Sequence, residues 1–121
     1  LLDDPRLSEK ARSFLLDEKN TIYYSSLSLW EVELKHLRHP EQMSVNAQNV
    51  SVYARASGFH LLNLRENHIF TLSTLQRAVI AKLHNDPFDR LLICQAKYEK
   101  MTFLTHDALL KDYNEPCAVF I

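Results

Sequence analysis

Glu31, Asp89 and Asp107 are the residues of this sequence best suited to chemistry, because each carboxylate falls at the opening of a stretch that reads as a helix. In an open α/β sheet such openings gather beyond the carboxyl ends of the strands, where ligands bind. Three separated carboxylates at one edge, with no matching set of Lys or Arg in the same turns, suit a hard cation held by oxygen ligands. Mg²⁺ or Mn²⁺ is the natural choice. Asp86 and Thr105 stand close to two of these acids in sequence and are candidates for support.

Taken singly, each acid also has a plain structural reading. Ser28-Leu29-Trp30-Glu31 fits a capping box, in which Ser28 caps the helix and Glu31 reaches back to it. Asp86 is a natural N-cap before Pro87 at the first helical position, and Asp89 is favoured there by the helix dipole. Asp107 fits the cap of a short helix, with Thr105 as helper. Capping explains Asp89 least well, since Leu91, Leu92, Ile93, Cys94 and Ala96 make the following turns apolar nearly all round. A carboxylate at the mouth of a buried helix needs a partner or a cation.

Other constellations carry less. His84 and His106 lack the spacing of zinc ligands. Ser28, His106 and Asp107 come with no nucleophile elbow or oxyanion motif. Trp30, Tyr23 and Tyr24 lie inside periodic elements and are expected in the core rather than stacked on bases.

The elements that must position these residues alternate. Leu7, Ala11, Phe14 and Leu15 form the stripe of a helix ending near Asn20, and the β-branched and aromatic run from Thr21 to Ser26 is a strand. Helices follow from Ser28 to about His39, stopped by Pro40, and from Val50 to Ala56. His60 to Leu64 is a short strand, and Asn67 to about Leu83 is helical with a break. Phe88 to Tyr98 is an apolar helix, Thr102 to Thr105 a buried strand, Asp107 to Lys111 a short helix and Ala118 to Ile121 a last strand. Alternation of this kind implies βαβ units, a mainly parallel sheet and an α/β fold.

Composition narrows the class. A chain of 121 residues with 46% hydrophobic content builds one core without staples, so a single domain spanning residues 1–121 is expected. Cys94 and Cys117 sit in apolar runs and read as reduced core thiols of a cytoplasmic protein. No stretch reaches the ~20 apolar residues that cross a bilayer, and no export signal opens the chain, so no membrane role is expected. With 14 Lys+Arg against 15 Asp+Glu, the net charge of −1 supplies no global field for a polyanion, and any nucleic acid must be drawn locally or through a metal. The single glycine, Gly58, excludes a glycine-rich phosphate loop. Leu1-Leu2 reads as the end of a helix, so the chain is expected to begin partway through a domain.

The run from Ser25 to Lys35, the run His84-Asn85-Asp86-Pro87-Phe88-Asp89-Arg90-Leu91-Leu92-Ile93 and the run Phe103-Leu104-Thr105-His106-Asp107 together resemble PIN-domain ribonuclease toxins of the VapC type. The resemblance covers essentially the whole chain. It implies a three-layer sandwich with a mainly parallel central sheet flanked by helices, and a cluster of acids holding one or two Mg²⁺ or Mn²⁺ ions. Glu31, Asp89 and Asp107 match three of that cluster, with Asp86 and Thr105 in support. The implied reaction is metal-assisted hydrolysis of RNA phosphodiester bonds, and the implied partners are RNA, a cognate antitoxin and a second copy of the chain. The family opens with a strand ending in an aspartate, and that strand precedes anything matched by Leu1 to Leu7, so the first strand is expected to be missing and the domain N-terminally incomplete. A non-catalytic protein-binding module is the alternative role for such a chain. A phosphatase on a similar sheet ranks last, because its nucleophilic aspartate motif is lacking.

Overall fold

The computed structural model describes residues 9–75, 87–105 and 115–120. These residues fall into two compact units: residues 21–64, and the described residues on either side of them. Among the described residues the strands form two separate pairs, and both are parallel. The expected class, an α/β fold with helices and a small parallel sheet, is the one observed.

Residues 21–64 contain β1 (Tyr23–Ser25), α2 (Ser26–Arg38), α3 (Ala47–Ala56) and β2 (His60–Leu62), after α1 (Glu9–Leu16) of the other unit. β1 pairs with β2 in the register Tyr23 to His60 and Ser25 to Leu62, so both strands end together. No residue separates β1 from α2. Ser25 closes the strand in an extended conformation and also caps the helix, its Oγ accepting from the Leu27 N–H at 3.0 Å. Ser26 Oγ accepts from the Leu64 N–H at 3.0 Å and so ties the exit of β2 to the start of α2. α3 begins with a reciprocal cap in which Asn46 and Asn49 satisfy each other's backbone N–H groups.

The protected stripe of α2 runs through buried Leu27 and half-buried Leu34. Trp30 and Leu37 fall to one side of that stripe and remain 56% and 71% exposed, and Tyr23 is exposed as well. The expectation that Trp30 and Tyr23 belong to the core is therefore corrected. Apolar spacing marks a stripe but not how wide a stripe the neighbouring elements cover.

The other unit holds α4 (Glu66–Phe70), a 3-10 turn (Thr71–Thr74), α5 (Pro87–Glu99), β3 (Phe103–Thr105) and β4 (Ala118–Phe120). The long helix expected from Asn67 breaks after Phe70 into the 3-10 turn, with Leu75 extended. Its remainder, and the short helix expected from Asp107 to Lys111, lie outside the described residues. Fully buried His68 fastens α4 to α5. Its Nδ1 accepts from the Arg65 N–H at 2.9 Å, so the ring proton sits on Nε2 and is donated to Glu99 Oε1 at 3.0 Å. The Tyr98 ring meets His68 edge-on, and its hydroxyl accepts from Asn67 Nδ2.

Two helices end in the same way. After α3, Gly58 takes a φ of 83°, and the N–H groups of Gly58 and Phe59 return to the carbonyls of Arg55 and Ala54. After α5, Lys100 takes a φ of 57°, and the N–H groups of Lys100 and Met101 return to Lys97 and Ala96. Both are Schellman closures, but only the first has the residue without a Cβ penalty. Lys100→Gly is expected to raise unfolding free energy by about 1 kcal/mol, read as a higher denaturant midpoint at an unchanged slope.

Burial pushes the Cys94 thiol up to about 11 and raises that of Cys117 as well. The unfolded chain gives up these protons first, so their contribution to stability is complete below about pH 9 and is lost as the pH climbs towards 11. Chemical unfolding at pH 8 and at pH 10.5 should show that loss, and iodoacetamide should label Cys94 at pH 8 only when denaturant is added.

Candidate active site

α5 places Asp89 by simple geometry. Ile93, one turn further along the helix, is fully buried and packs against Leu75, Phe103 and Cys117. Residues four apart lie on one helix face, so Asp89 continues the stripe that meets the strand pair. It is displaced about 6 Å towards the start of the helix. β3 runs the opposite way to α5 after the tight closure at Lys100, and Thr105 lies about 7 Å beyond Phe103 along the strand. Half-buried Asp89 and the carboxyl end of β3 thus share one end of this unit. Asp89 stands in the first turn of α5, one turn before Ile93.

Pro87 is the first residue of α5, as expected from its fixed φ. Asp86 and Asp107 lie outside the described residues, and Thr105 is the last residue of β3.

Glu31 belongs to the unit of residues 21–64. α2 starts at Ser26 under the Ser25 cap, so Ser28 is already inside the helix and Glu31 is in its second turn. The capping-box reading of Ser28 and Glu31 is overturned, because a second-turn carboxylate cannot return to the N-cap N–H. Glu31 is solvent-exposed, one turn beyond buried Leu27 on the same stripe. Its neighbour Glu33 points elsewhere: roughly 200° around the helix from Glu31, it accepts from the Ala47 N–H at the start of α3 at 3.4 Å. Of the two acids in Trp30-Glu31-Val32-Glu33, Glu33 joins two helices and Glu31 is the more exposed.

The described acids Glu31 and Asp89 are hard oxygen donors with no thiolate or imidazole competing beside them in sequence, which fits Mg²⁺ or Mn²⁺ in donor chemistry. Among the described residues no three His, Cys, Asp or Glu side chains gather into a metal-holding group. Glu31 and Asp89 belong to different units, and the third acid expected from the sequence, Asp107, lies outside the described residues.

Sequence reasoning missed the double duty of Ser25, although a serine at the very end of a β-branched and aromatic run was a signal for it. It also missed Lys97, whose ammonium is bonded to the Thr74 carbonyl at 2.9 Å and to the buried Glu115 carboxylate at 3.0 Å. Nothing local marks a pairing across that distance in sequence.

The chain belongs to the PIN domain family, whose model matches residues 1–116. No curated protein and no solved structure matches it. PIN domains are typically metal-dependent nucleases, often in toxin–antitoxin systems.

Ser25→Ala should cost about 1 kcal/mol in stability, because it removes the acceptor for the Leu27 N–H, whereas Ser28→Ala should stay within about 0.5 kcal/mol. Equal losses in urea unfolding would return the cap to Ser28.

Proposed function

We propose that this protein is a metal-dependent endoribonuclease, the toxin of a bacterial toxin–antitoxin pair. Membership of the PIN family supports the nuclease class. What supports the reading at a particular residue is Asp89 in the first turn of α5, one turn before Ile93, which packs against Phe103 of β3.

In this reading Glu31, Asp89 and Asp107 hold Mg²⁺ or Mn²⁺, with Asp86 and Thr105 in support. The ion, when bound, polarises the scissile phosphate and lowers the pKa of the attacking water. The carboxylates themselves act as ligands rather than nucleophiles. Half-buried Asp89 stands one helical turn before Ile93, so its position is tied to the core through that turn. Glu31 stands on a helix whose start is fastened twice, by Ser25 and by Ser26.

The substrate in this reading is RNA, drawn to the site by the metal rather than by net charge, which is −1. The protein partners are a cognate antitoxin and a second copy of the chain, and the compartment is the cytoplasm. No helix among the described residues is long and apolar enough to cross a membrane.

The test is cleavage of RNA with and without Mg²⁺ by the protein expressed from its complete reading frame, beside its Asp89→Asn and Glu31→Gln variants. Cleavage should require the metal and fall by about 100-fold in each variant. Metal-independent cleavage, or equal rates for parent and variants, would sink the proposal.

A further inference from the structure

The contact between α5 and the β3/β4 pair has two parts of different physical character. Around Ile93 it is apolar, made with Leu75, Phe103 and Cys117. Apolar contact is non-directional and resists separation more than it resists sliding. One turn further on, Lys97 Nζ donates to Glu115 Oε1 at 3.0 Å and to the Thr74 carbonyl at 2.9 Å. The Glu115 side chain is 4% exposed, so this carboxylate has little freedom to follow a moving partner.

Glu115 opens the run that becomes β4. The carbonyl of Cys117 in that run accepts from the Phe103 N–H at 2.7 Å, and β4 then pairs with β3 from Ala118 to Phe120 against Phe103 to Thr105. The placement of Glu115 along α5 is thus handed to Thr105 through backbone bonds. Asp89, Ile93 and Lys97 recur every four residues on one face of the helix.

We propose that Lys97 is a positioning residue for the candidate metal site: by pairing with Glu115 it sets the register of the β3/β4 pair along α5, and so the spacing between Asp89 and the carboxyl end of β3. The inference rests on the proposed metal-dependent reading of that end of the unit. A slip of one helical residue moves the strand end by about 1.5 Å relative to Asp89. A displacement near 1 Å is enough to cost on the order of 100-fold in a site that depends on alignment.

Stability and register can be separated. Removing one partner of a buried pair is disruptive because a charge is left behind, whereas replacing both with apolar residues of similar size is often neutral or stabilising. The experiment therefore uses the double variant Lys97→Met/Glu115→Met in the protein expressed from its complete reading frame, beside the parent and Asp89→Asn. Thermal unfolding and Mn²⁺ binding by calorimetry are measured on all three. The double variant is expected to unfold at or above the parent's temperature and yet bind Mn²⁺ about tenfold more weakly. Parent-like affinity in the folded double variant, with weaker binding in Asp89→Asn, overturns the role of Lys97 alone. Equal binding by parent and Asp89→Asn overturns the metal reading and the Lys97 inference together. If the double variant fails to fold, Lys97→Arg, which keeps the charge but changes the reach, is titrated in its place; parent-like affinity there overturns the role, and an intermediate loss sustains it.

Discussion

Burial of Ile93 is the contact on which the unit built around α5 depends. Leu75, Phe103 and Cys117 come from three separate stretches of chain, and each reaches the same turn of the helix. A fully buried Ile side chain contributes about 1.5–3 kcal/mol, a large share of what a small domain has to spare. Because the turn that carries Ile93 also carries the helix face of Asp89 and Lys97, the same packing that stabilises the unit orients its acid and its ammonium. Stability and site geometry are coupled here through one helix.

The polar groups of this unit divide the work. His68 accepts from a backbone N–H and donates to Glu99, which leaves its ring satisfied in a single tautomer. Half-buried Lys97 brings its ammonium to the buried Glu115 carboxylate. Asp89 occupies the opposite end of α5 from both. The helix thus carries its structural polar contacts towards its last turns and leaves its first turn to a carboxylate that the dipole favours.

Much of this was legible in the sequence where the signal is local. α5 could be placed nearly to the residue, because Pro87 marks a start and the apolar run beyond it has helical length. The parallel pairing followed from alternation of strands and helices, though not the grouping of the strands. The start of α2 was misplaced because Ser28 and Glu31 satisfy the capping-box spacing, whereas Ser25 acts through a bond to Leu27 that any serine at a strand end can make. The candidate acids were named from residue type and from a resemblance. Lys97 and His68 were invisible because their partners, Glu115 and Glu99, are distant in sequence, and a basic residue in a last turn already has a sufficient explanation in the dipole.

The direct passage from β1 to α2 limits how this sequence can vary in length. With Ser25 serving both elements, one inserted residue at the junction would either uncap the helix or turn it by roughly 100° about its axis. Glu31 would then leave the stripe it shares with Leu27, and Ser26 would leave the Leu64 N–H. Substitutions can accumulate along the exposed side of α2, but insertions and deletions between Tyr23 and Leu27 are the changes this part of the chain is least able to absorb.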